Sequence, residues 1–158
     1  MEKIVVGVDG SKGAREALRW AVDEAKVRGA GLVVVHAWQQ PAAALMSPYA
    51  PLLTDPVTLA EIARKTLADS IATVDLTGLA GEPELRTVQG PAAPALLGAA
   101  HDATLLVVGS RGRGGFAGLL LGSVSQQVAH ESAVPVVVIP PAAKATDRPL
   151  VVNRTADR

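Results

Sequence analysis

The sequence predicts an α/β fold, a three-layer α/β/α sandwich around a five-stranded parallel sheet. Two observations carry this prediction. Short β-branched runs alternate with longer segments whose apolar residues repeat at helical spacing, giving the order βαβαβαβαβ. The runs KIVVGV, LVVV, TLLVV and VVVI lack polar alternation, as expected of strands covered on both faces. Right-handed crossovers between parallel strands then place helices on both sides of the sheet.

Lys3–Val8 is the first strand, ending in Asp9-Gly10-Ser11. Ser11 caps a helix whose stripe is Ala14, Ala17, Leu18, Ala21, Val22 and Ala25, and Gly29 closes it. Leu32–Val35 is the second strand, leading to His36, Ala37 and Trp38. Residues 39–54, with Pro41, Pro48 and Pro51, form a long irregular connection of the kind that serves as a lid or binding loop. Asp55 caps the next helix with Pro56 at its first position. Its stripe is Leu59, Ile62, Ala63, Thr66, Leu67, Ser70, Ile71 and Val74, and Gly78–Pro83 ends it. Glu84–Val88 is a third, more exposed strand.

Gly90-Pro91 turns into a short helix over Ala92–His101, and Thr104–Val108 is the fourth strand. After a glycine-rich stretch, Ser123-Val124-Ser125-Gln126 has the S-x-x-Q spacing of a capping box, which starts the last helix at Ser123 and leaves Gly122 outside. Val136–Ile139, fenced by Pro135 and Pro140, is the fifth strand. The domain is expected over residues 1–140. Residues 141–158 form a polar, flexible tail with Leu150–Val152 as its apolar group.

Composition narrows the function classes. Lys+Arg and Asp+Glu both number 15, so the chain lacks the basic field of a nucleic-acid or anionic-membrane binder. Aromatic residues are 3% of the chain (Trp20, Trp38, Tyr49 and Phe116), too few for base-stacking platforms. Without cysteine there is no thiolate chemistry and no thiolate metal site. The chain enters a strand at once, with no signal-peptide layout, and no apolar run approaches the ~18 residues of a membrane span. A cytoplasmic protein, bound neither to nucleic acid nor to membrane, is the expectation.

The chemistry concentrates after the fourth strand, where Gly109, Gly112, Gly114, Gly115, Gly118 and Gly122 fall together. A strand opening into glycines and then a helix suggests a cradle of backbone N–H groups for an anion. The stretch carries no Walker A sequence. Gly112–Ala117 satisfies G-x-G-x-x-A, yet the dinucleotide fingerprint belongs in the first βα turn, not after the fourth strand. A third spacing fits: Gly109-x-x-Gly112, nine residues, then Gly122-Ser123.

This G-2x-G-9x-G-[ST] pattern resembles the ATP-binding branch of the universal stress protein family. The resemblance spans residues 1–140 and includes VGVDGS (Val6–Ser11), Gly90–Ala95, VVGSRGRGG, LLGSVS and PVVVIP. It implies an adenine nucleotide α-hydrolase-like (Rossmann-like) sheet with strand order 3-2-1-4-5. It further implies that Val8 and Asp9 lie against the ribose–adenine side and that the backbone near Ala37 meets the adenine edge. Gly109, Arg111 and Gly112 would wrap the ribose and phosphates. Gly122, Ser123, Val124 and Ser125 would offer N–H and hydroxyl donors to the phosphates. A helix N-terminus suits that task through its unpaired N–H groups and dipole. The implied ligand is ATP, with any Mg²⁺ held mainly by the phosphates and water. The implied partner is a second copy, forming a homodimer through the edge strand Val136–Ile139.

Plainer roles stand beside these. Asp9 could cap the first turn, Ser123 could serve only its helix, and Arg111 and Arg113 could be solvated charges. Trp20 and Trp38 fit partial burial, and Leu119–Leu121 fits packing or an interface. His36, His101 and His130 are scattered without metal-ligand spacing, and no residue stands out as a general base. The sequence therefore reads as a nucleotide-responsive binding protein of the stress response with no catalytic residues. A slow nucleotide hydrolase or phosphotransferase and a non-nucleotide dimeric scaffold are the alternatives.

Overall fold

The computed structural model describes residues 2–40, 55–113 and 120–141. Nine elements follow in chain order: β1 (Lys3–Gly7), α1 (Lys12–Arg28), β2 (Gly31–Trp38), α2 (Pro56–Ile71), β3 (Glu84–Gln89), α3 (Ala92–Ala99), β4 (Leu105–Gly109), α4 (Ser123–Glu131) and β5 (Val136–Ile139). The strands form one sheet in the order β3-β2-β1-β4-β5, and every pairing is parallel. Strand order reverses between β1 and β4, the place where α/β sheets open a crevice beyond the strand ends.

The pleat divides each strand between two cores. Ile4, Val6, Leu32, Val34, Leu105 and Val107 pack on the stripe of α1 and on Leu67 of α2. Val5, Val33, Val35, Leu106 and Val108 pack on Ala93 and Leu96 of α3 and Val128 of α4. Both faces of β1, β2 and β4 are thus dry, which is why these strands read as apolar runs, whereas the edge strand β3 is partly exposed. Trp20 packs partly buried against the first core.

The helix caps anticipated for the first two helices form. Ser11 accepts from the Ala14 N–H at 3.1 Å, and Gly29 ends α1 at φ 61. Asp55 accepts from the Thr58 N–H at 2.9 Å, with Pro56 in the first turn. Two element ends and one side chain depart notably from expectation. β2 runs on to Trp38, because His36, Ala37 and Trp38 pair with Thr87, Val88 and Gln89. α3 stops at Ala99, two residues before His101. Ile62, expected on the buried stripe of α2, is 55% exposed.

The irregular connection and most of the residues between Gly112 and Gly122 lie in part outside the described residues, as does nearly all of the tail. No helix among the described residues is long and apolar enough to cross a membrane.

Candidate functional site

A cleft of about 690 Å³ opens at the carboxyl ends of β1, β2 and β4, and all the residues expected to touch a nucleotide line it. Val8 and Asp9 enter from the end of β1, Ala37 from β2, and Gly109, Arg111 and Gly112 from the end of β4. Gly122, Ser123, Val124 and Ser125 close it from the start of α4. Val8, Val35, Leu96 and Val108 give the cleft an apolar lining, and the small Ala14, Ala37 and Ala92 line it as well. Asp9, Arg111, Arg113 and Ser123 supply the polar rim. A flat apolar ring with an anionic tail matches this division of surfaces.

Sequence reasoning missed Gly7, Leu96 and Ala92 among the walls. Gly7 has a packing reason: a Cβ there would come within 2.9 Å of Leu96 Cδ1. The signal was available, since the Gly90–Ala95 stretch that carries part of the resemblance leads directly into α3.

The glycines of the loop are glycines for different reasons. A Cβ on Gly109 would sit 2.9 Å from the Gly13 carbonyl carbon and oxygen, so β4 can reach this depth only by crossing bare backbone at the start of α1. A Cβ on Gly112 would stand 2.6 Å from the Asp9 carboxylate. At Gly122 the nearest atoms would be 3.5 Å away, ordinary contact. In this chain the spacing G-2x-G therefore has packing reasons, and among the described glycines of the loop Gly122 alone is unconstrained by neighbouring atoms.

The start of α4 corrects the capping-box reading. Gly122, not Ser123, is the N-cap: it is extended (φ −77, ψ 169), and its carbonyl accepts the Gln126 N–H at 2.9 Å. Ser123 is already the first helical residue, and the cap has no side-chain hydrogen bond. S-x-x-Q spacing needs the serine one position earlier relative to the helix. Ser125 also departs from expectation. It is buried, and its hydroxyl is turned back onto the carbonyls of Ser110 (2.9 Å) and Gly122 (3.0 Å). The Ser125 hydroxyl is spent inside the protein, whereas the Ser123 hydroxyl has no partner among the described residues. The N–H groups of the first turn have no carbonyl one turn earlier and point out of the helix end.

Asp9 occupies the centre of the rim. One carboxylate oxygen accepts the Ser11 N–H at 2.8 Å and the other accepts the Arg113 N–H at 3.1 Å. It thus does fix the first turn, and it also holds the loop after β4. Beside it, the buried His36 donates from Nδ1 to the Val8 carbonyl at 2.8 Å, because a carbonyl can only accept. Neither Arg111 nor Arg113 is ion-paired among the described residues. No group of three His, Cys, Asp or Glu suited to a metal occurs among those residues.

Residues 1–140 match the profile of the universal stress protein family. The chain belongs to the universal stress protein family. It is 37% identical over 138 residues to a universal stress protein of Mycolicibacterium smegmatis, covering 87% of this chain and 45% of that protein. The chain thus spans less than half the length of that relative. Among solved structures, it resembles a universal stress protein in complex with cAMP at 31% identity and TM-score 0.60, covering 89% of this chain and 98% of the other. A universal stress protein from Archaeoglobus fulgidus in complex with dAMP is similar at 27% identity and TM-score 0.61, covering 88% and 98%. The universal stress protein fold therefore accounts for the whole described chain up to β5.

Proposed function

We propose that this chain binds ATP, or a closely related adenine nucleotide, in the cleft between β1 and β4 and works as a nucleotide-responsive dimer in the cytoplasmic stress response. The observation that carries the reading is the convergence of two backbone clamps, Gly109–Gly112 and Gly122–Ser125, on one cleft with an apolar lining. The adenine nucleotides in the two structural neighbours support the same class of ligand. In this reading the base lies on Val8, Val35 and Ala37, and the phosphates meet the first turn of α4 together with Arg111 and Arg113.

Binding without turnover is part of the proposal. Asp9 is the one carboxylate among the described lining residues, and both its oxygens already accept backbone N–H groups. Any Mg²⁺ would be carried chiefly by phosphate oxygens and water. The dimer would form through β5, the edge strand of the sheet, which has prolines at both ends.

Calorimetric titration with ATP and with adenosine tests the reading, using wild type and Ser123→Asp. A carboxylate at the first helical position suits the helix dipole, so the variant should fold normally. It should lose ATP affinity by at least about tenfold through like-charge repulsion and keep its affinity for adenosine. Equal ATP affinity in both proteins would remove the phosphates from the start of α4.

A further inference from the structure

Asp9 and Gly112 form a matched pair whose consequence lies in the loop. The Asp9 carboxylate reaches across the mouth of the cleft and takes the Arg113 N–H at 3.1 Å. It can do so because position 112 has no side chain: a Cβ would stand 2.6 Å from the same oxygen. The loop is pinned at its other end as well, since the Ser110 carbonyl accepts both the Gly122 N–H at 2.6 Å and the Ser125 hydroxyl at 2.9 Å. Ser110–Arg113 is thereby strung between the end of β1 and the start of α4 by the protein's own hydrogen bonds.

We infer that Asp9 is a positioning residue: it latches the loop after β4 into its ligand-receiving shape instead of binding the ribose hydroxyls. The inference rests on the nucleotide reading above and changes the part assigned to Asp9 within it. Each carboxylate oxygen is engaged by a backbone N–H, and withdrawing either one would release the loop or open the first turn of α1. A ribose hydroxyl reaching the second oxygen would have to share it with the Arg113 N–H through the remaining lone pair. The second glycine of the G-2x-G spacing then has a physical cause in this chain, as room for the carboxylate that holds the loop. Pre-ordering of this kind raises affinity by lowering the entropy lost on binding.

The test uses the full chain, two probes of equal charge (ATP and 2′,3′-dideoxy-ATP), and the variants Asp9→Asn and Gly112→Ala. Without ligand, amide exchange at Arg113 should accelerate about tenfold or more in both variants, since a hydrogen bond to a charged group is lost. With ligand, each variant should change affinity for the two probes by the same factor, leaving the wild-type ratio between them intact. Gly112→Ala, which keeps the carboxylate, should lower both affinities about tenfold, and adding Asp9→Ala should relieve its steric part. The latch is overturned if Arg113 exchanges at the wild-type rate in both variants. It is equally overturned if Asp9→Asn alone abolishes the preference for ATP over the dideoxy probe, because Asp9 would then be a ribose ligand. Wild type that binds neither probe refutes the nucleotide reading and leaves the exchange measurement to decide the latch.

Discussion

Gly109→Ala should destabilise the protein although it adds a single methyl group at the end of a strand. The added Cβ would lie 2.9 Å from the carbonyl carbon and oxygen of Gly13 and 3.3 Å from the Ala14 nitrogen. All three are backbone atoms of the first turn of α1, so no side chain can rotate away. Forcing such a contact costs about 1–3 kcal/mol, against which the alanine recovers about 0.4–1 kcal/mol by restricting the unfolded chain. The net loss is about 1–2 kcal/mol, or roughly 2–8 °C in Tm for a chain of this size. Gly122→Ser is the matched control, because its Cβ would meet nothing nearer than 3.5 Å and serine is a favoured N-cap. Thermal unfolding followed by far-ultraviolet circular dichroism gives both midpoints. A Gly109→Ala midpoint equal to wild type, or an equal drop in both variants, would refute the assignment of these glycines to different constraints.

Ser125→Ala removes the hydroxyl shared between the Ser110 and Gly122 carbonyls and should cost about 1 kcal/mol in a urea titration, the scale of one buried hydrogen bond. The Asp55 carboxyl is held below its ordinary value of 3.8, first by the Thr58 hydroxyl and then by the Thr58 N–H. Because the folded state has the lower pKa, this contribution to stability is present above the ordinary value and lost as pH falls through the depressed one. An NMR titration should place Asp55 below 3.8 and show it rising in Thr58→Val; a carboxyl titrating at or above 3.8 in wild type would contradict the cap.

The sheet was legible because its signals are local. Unbroken β-branched runs, Ser11 and Gly29 at the ends of one helix, and Asp55-Pro56 at the start of another each fix an element without reference to the rest. The residues that line the cleft were legible through their spacing, which the resemblance placed at the ends of β1, β2 and β4 and the start of α4. What spacing could not show was the assignment of individual atoms. Ser123 and Gly122 exchange the role of N-cap because that depends on one backbone dihedral, set by the hydrogen bond from Gly122 to Ser110. The Ser125 hydroxyl turns inward because β4 delivers the Ser110 carbonyl to it, a contact between segments 15 residues apart. Gly109 and Gly112 looked like ligand-facing glycines, and only the crossing of β4 over Gly13 and the reach of Asp9 show their packing reasons. The same holds for Leu96, which faces the cleft by the placement of α3 on the sheet.

The central claim is that one cleft receives an adenine nucleotide between two backbone clamps. Titrating the isotopically labelled chain with ATP and following backbone amide shifts tests it directly. Saturable changes should concentrate at Val8–Ser11, Ala37, Gly109–Arg113 and Gly122–Ser125, the segments that line the cleft. Changes that fail to saturate, or that map to the outer edge of β3 and leave Gly109–Arg113 and Gly122–Ser125 unmoved, would contradict it.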